Sequence, residues 1–203
     1  MAGLKTFLGR LSPLLGVTPA ALYERQRVLV DIGLIKPKAG RGPGSGVAFT
    51  AENLAALVIS ILATDSLSEI DQRVVNLCKA QPGPTLDRKS RLHEIWVKLG
   101  KPTFLTEVAR VLSGQPLLFR PKDPIMGIRV TRIWRAQILL DPHGPIPQLP
   151  FVPHHWDRVA ERDLPISLTA EIGAGPLSKL ITFFTDTDFA VRAALSQDEE
   201  EPE

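Results

Sequence analysis

One cysteine, Cys78, in 203 residues excludes an internal disulfide and fits a reducing compartment; its place in an apolar helical pattern predicts an inert, buried thiol. The apolar run Leu54 to Leu62 is too short to cross a bilayer, and Met1-Ala2-Gly3-Leu4-Lys5 lacks the pattern of a secretory signal. A soluble, cytoplasmic protein with no membrane partner is therefore expected. Chemistry-bearing clusters are also scarce. His154-His155-Trp156-Asp157 is the densest, but adjacent histidines point apart unless a loop bends them inward, and no helical His pair or Cys pair joins them; it reads as a solvent-facing or structural turn. His93 and His143 add no ligand pattern. Gly40, Gly42, Gly44 and Gly46 are not followed by the lysine and hydroxyl residue of a phosphate-binding loop. No metal, no cofactor and no enzyme activity is expected. The net charge of +2 is too small to announce a nucleic-acid partner by itself, and no internal repeat is visible.

What is present is concentrated at the amino terminus. Through residue 50 the basic residues are Lys5, Arg10, Arg25, Arg27, Lys36, Lys38 and Arg41, against Glu24 and Asp31 alone. Leu4, Phe7, Leu8, Leu11 and Leu15 recur at three- and four-residue steps and predict a helix with one apolar stripe. Gly16 stops it, Val17 plugs the gap to the next helix, Thr18 supplies a hydroxyl cap and Pro19 suits the first helical position. The second helix, Thr18 to Ile32, buries Leu22, Leu29 and Ile32 with Val28 beside them. Ala20, Tyr23, Glu24 and Arg27 turn away. Gly33 ends it, Leu34-Ile35 starts a strand, the loop Lys36 to Gly46 follows, and Val47-Ala48-Phe49-Thr50 returns.

Gly16-Val17-Thr18, Leu22, Leu29 and Gly33-Leu34-Ile35 resemble the winged helix-turn-helix regulators of bacteria and their phages over roughly the first third of the chain. Gly33-Leu34-Ile35-Lys36-Pro37, with Phe49-Thr50-Ala51-Glu52-Asn53-Leu54 beyond the loop, is also similar to the mercury-resistance-regulator type. The resemblance implies a sequence-specific, double-stranded-DNA-binding transcriptional regulator with a helix in the major groove and a basic wing on backbone or minor groove. Thr18, Ala20, Tyr23, Glu24, Arg27, Lys36, Lys38 and Arg41 are the expected contact residues. A homodimer on a two-part site is expected, with RNA polymerase or a second regulator as a further partner. Two other readings stay open: a phage packaging or plasmid-maintenance adaptor, and a winged-helix interaction module that does not bind DNA.

Beyond residue 50, Thr50 caps a helix whose Leu54, Leu57, Val58, Ile61 and Leu62 share a face; Ile59 adds apolar surface elsewhere, so another part of the chain or a second subunit must cover it. A helix over 68–80 places Ile70, Val74 and Leu77 inward, and Gln81-Pro82-Gly83-Pro84-Thr85 reads as a linker. Helices are predicted over 88–99 and 103–112. Ile128 to Leu140 alternates with period two and predicts one half-buried strand, with Arg132 marking a bulge or an edge; Arg129, Arg132 and Arg135 either extend a nucleic-acid surface or solvate the strand and pair with acids. Asp141 to Pro153 reads as a loop, Ile166 to Ile172 as a second strand, and 176–184 and 186–195 as two helices. The expected fold is α+β and mainly α: a winged helix-turn-helix domain over 1–80, a small α+β oligomerisation or partner-binding domain over 86–197, and an acidic tail, 198–203.

Overall fold

The computed structural model of the chain describes residues 3–38, 46–70, 72–82, 94, 97–118, 122–131, 135–140, 148–152 and 169–198. Among them the fold is mixed and mainly helical, with a five-stranded antiparallel sheet. Helix α1 spans Leu4–Leu15 and buries Leu4, Leu8 and Leu11. Gly16 closes it at φ 66°, a conformation that costs a residue with a Cβ but not glycine. Helix α2, Pro19–Asp31, starts at Thr18, whose hydroxyl accepts from the Ala21 N–H at 3.2 Å. It ends at Asp31, one residue earlier than expected, with Ile32 as its carboxyl cap. Past it, Gly33 N–H donates to Val30 O and Leu34 N–H to Leu29 O, both at 3.0 Å, with Gly33 at φ 74°: a glycine-terminated turn that satisfies two carbonyls of the helix end.

A two-stranded hairpin follows, β1 (Pro37–Lys38) and β2 (Gly46–Val47), paired Pro37 with Val47 and Lys38 with Gly46. The strands are shorter than expected. Leu34 and Ile35 precede the pairing, since the Ile35 N–H is still engaged by Leu29 O at 3.1 Å, and Ala48 pairs instead with Gly3 at the start of α1.

Helix α3, Ala51–Ala63, is the spine. Nine of its thirteen residues are buried, and it contacts α1, α2, a short helix α4 (Gln72–Cys78), helix α5 (Phe104–Leu112) and the sheet, so its cover comes from the chain itself. The helix expected over 68–80 is a 3₁₀ turn, Leu67–Glu69, followed by the shorter α4; Ile70 between them and Val74, Leu77 and Cys78 of α4 are buried as expected. Burial pushes the Cys78 thiol up to about 12, which makes it a poor nucleophile.

The sheet corrects three expectations. Residues 81–82 are not linker but strand β3 (Gln81–Pro82), paired with β6 (Gln148–Val152), which itself lies in the stretch expected to be a loop. Proline-rich composition argued against a strand there. Pro150 is tolerated because β3 reaches only Phe151 and Val152, leaving Pro150 with the single partner Gln137. The expected strand 128–140 is a hairpin, β4 (Ile125–Thr131) and β5 (Arg135–Leu140), joining Ile128 to Ile138 and Val130 to Ala136. In that register, partners have the same parity, so alternation continues through the reversal and a period of two cannot reveal the turn. Arg132 and Trp134 lie outside the described residues. Strand β7 (Thr169–Gly173) lies on β4's other side, and the order is β3-β6-β5-β4-β7. A Cβ on Gly127 would stand 2.6 Å from Ile172 O, so glycine lets these strands close.

The two terminal helices expected after β7 are one, α6 (Ala174–Asp198). Helices α3 and α6 both touch β4 and β7, and α5 joins the sheet through Phe104 against Phe151, ring centroids 5.2 Å apart. Phe7 of α1, Phe49 after the hairpin, and Phe183 and Phe184 of α6 form one aromatic cluster, Phe7 and Phe49 at 4.4 Å. The buried residues are consequently one continuous cluster across the boundary expected at 81–85. The predicted helix 88–99 and the His154–Asp157 cluster fall outside the described residues, apart from a few positions at 94 and 97–99.

Candidate nucleic-acid interface

The inward side of α2 is held by apolar contact and by one charged clamp. Leu22 and Leu29 are fully buried, as the spacing predicts. Arg25 and Gln26 are buried beside them, which corrects the count of cations available at the surface. The Arg25 guanidinium donates to Ser60 O at 2.9 Å, Thr64 O at 2.8 Å and Asp65 O at 3.0 Å. These carbonyls are at or just past the carboxyl end of α3, where peptide dipoles concentrate negative potential, so a cation is favoured. Arg25 thereby fixes α2 against α3 at a set rotation. The sequence signal missed here is positional: Arg25 stands three residues after Leu22 and four before Leu29, within the buried stripe. Gln26 Oε1 is buried without a hydrogen-bond partner among the described residues.

That rotation turns Ala20, Glu24, Arg27 and Asp31, separated by three- and four-residue steps, to the outside. Ala20, Arg27 and Asp31 are exposed, while Tyr23 and Glu24 are half-buried at the margin. Thr18 is exposed and spends its hydroxyl on the cap. Arg27 meets Glu24 at 3.1 Å, with the two side chains 60% and 46% exposed. An ion pair this open contributes about 0–1 kcal/mol, whereas a bidentate arginine–guanine contact contributes about 1–3 kcal/mol, so the pair does not hold Arg27 back from a stronger acceptor. Lys5 of α1, which the sequence reading did not place in the site, has its Nζ 4.7 Å from the Tyr23 ring centroid.

On the hairpin, Lys36 is exposed just before β1 and Lys38 lies in β1; Arg41 falls outside the described residues. The bridge between Gly3 and Ala48 ties the hairpin to the first turn of α1. Arg10 is directed elsewhere, its guanidinium 4.7 Å from the Phe183 ring of α6. Arg129 is bound to Glu171 across β4 and β7 at 2.8 Å, which spends it in the sheet. Among the described residues no group of three or more His, Cys, Asp or Glu side chains gathers as a metal site, and no helix is long and apolar enough to cross a membrane. Comparison with protein-family models, with curated proteins and with solved structures finds no match to this chain.

Proposed function

We propose that this chain is a sequence-specific, double-stranded-DNA-binding transcriptional regulator built on a winged helix-turn-helix. Helix α2 enters the major groove, and the β1–β2 hairpin with its basic loop lies on the backbone or in the minor groove. One observation carries the reading: α2 is clamped by Leu22, Arg25 and Leu29 so that Ala20, Arg27 and Asp31 are exposed, with Tyr23 and Glu24 half-buried at their margin. Arg27 is the base reader in this reading, and Lys36, Lys38 and Arg41 supply salt-sensitive contacts. Residues 1–80 carry DNA and 86–197 carry self-association as a homodimer or binding of RNA polymerase or a second regulator. No catalytic role is assigned.

A mixed-sequence duplex titrated at low salt tests this, followed by selection of bound genomic fragments. The expected results are retardation that weakens steeply with salt and recovery of an inverted repeat. A ring-like oligomer by mass would favour the packaging or plasmid-maintenance adaptor instead. A second reading, a winged-helix interaction module without DNA binding, is favoured by the charge of the outward side of α2, where Glu24 and Asp31 outnumber Arg27. An absence of any retardation at low salt makes that reading the better one.

A further inference from the structure

We infer that the first turn of α1 belongs to the DNA-binding face, with Lys5 as a phosphate-contacting residue and Tyr23 as the residue that positions it. This rests on the DNA-binding reading above and changes the part that Tyr23 plays in it. Tyr23 is half-buried and packed against the core, so its ring is held by the body of the protein. Lys5 is exposed, and its ammonium lies over that ring at 4.7 Å from the centroid. The ring face beneath Lys5 is thus not offered to a base.

A lysine on a free four-carbon stem loses much rotamer freedom when it binds a phosphate; an ammonium already resting on an aromatic face has lost part of it beforehand. Position supports the same assignment. The bridge from Gly3 to Ala48 sets this turn next to the strand leaving the hairpin, and the contact with Tyr23 sets it next to α2. Lys5 therefore stands between the two elements expected on the duplex. It also adds a cation to a face on which α2 itself presents two carboxylates and one guanidinium.

Titration of the full chain with mixed-sequence duplex between 50 and 200 mM salt is the test. K5A should bind every duplex more weakly, with the log–log salt slope reduced by about 0.9, so that its deficit shrinks about threefold across that range. Y23L should weaken every duplex alike and by less than K5A, because Lys5 keeps its charge and loses only its resting place; Y23F, which keeps the ring, should weaken binding less than Y23L, and the double variant should be no weaker than K5A. Unchanged binding and slope in K5A, while the unsubstituted chain binds, overturns this inference and leaves the DNA-binding reading standing. A changed set of selected fragments in Y23F or Y23L at unchanged slope also overturns it, making Tyr23 a base reader. Failure of the unsubstituted chain to bind duplex at 50 mM salt removes the DNA-binding reading and this inference together.

Discussion

Helices α2 and α3 are each thirteen residues long, and each starts on a threonine whose hydroxyl accepts the backbone N–H three residues on, at 3.2 Å in both. Their fates differ completely. α3 is buried at nine positions by elements on several sides; α2 is buried at four, two of them polar. A cap decides where a helix begins, and the chemistry around its circumference decides what it touches. α3 is apolar on more than one side and becomes the spine on which α1, α2, α4, α5 and the sheet converge. α2 has a narrow apolar stripe, so its attachment depends on Arg25 reaching the end of α3, and the side opposite remains free for function.

The contrast is sharpest if truncation is costly in one helix and cheap on the open side of the other. The largest effect is expected from Leu57→Ala, which removes a fully buried side chain from the spine and should lower unfolding free energy by about 2–5 kcal/mol in a denaturant titration. Arg25→Ala should follow at roughly 3 kcal/mol, because it removes three charge-assisted hydrogen bonds to the end of α3; a loss below about 1 kcal/mol would mean that α2 is held by Leu22 and Leu29 alone.

A third expectation concerns the cover of α3. Glu107 on α5 is fully buried, with Oε2 accepting the Leu118 N–H at 3.1 Å and Oε1 without a partner among the described residues. Burial raises its pKa above the ordinary carboxylate range, against weaker lowering by the Leu118 N–H and by Arg110. The folded chain then holds this proton more tightly than the unfolded one. Its contribution to stability is complete below the unfolded pKa and is lost as pH rises through the folded one, at no more than about 1.4 kcal/mol per pH unit. Glu107→Gln should remove that dependence, and parallel stability curves for the two chains from pH 4 upward would refute it.

The two caps supply a control: Thr18→Ala and Thr50→Ala should each cost about 1 kcal/mol, alike despite the different burial of their helices. Smallest of all, Arg27→Ala should change stability by less than about 0.5 kcal/mol, since its ion pair is open to water. A larger thermal shift would place Arg27 in the packing and erase the distinction between the two sides of α2.

Much of the helical part was legible because its signals are local. Leu4, Leu8 and Leu11, the Gly16 turn and the Thr18 and Thr50 caps each depend on residues within one or two turns. The sheet was less so. Pairing of Gln81–Pro82 with Phe151 and Val152 joins residues about seventy positions apart, and nothing near either segment marks it; the even register of β4 and β5 hid their reversal. Lys5 was passed over because the aromatic ring that receives it belongs to another helix.

By itself the sequence determined where α1 and α3 begin, how α2 is capped and which positions of each are apolar, because caps, glycine turns and periodicity act through neighbouring residues. Only the tertiary structure decided what the Arg25 guanidinium meets inside, while Arg27 stays outside as its spacing predicts. Two residues apart on one helix, they carry the same charge, and what separates them is the set of backbone carbonyls, 35 to 40 positions further along, that accept hydrogen bonds from Arg25. A buried guanidinium is tolerated where such acceptors converge, and convergence is a property of the folded chain.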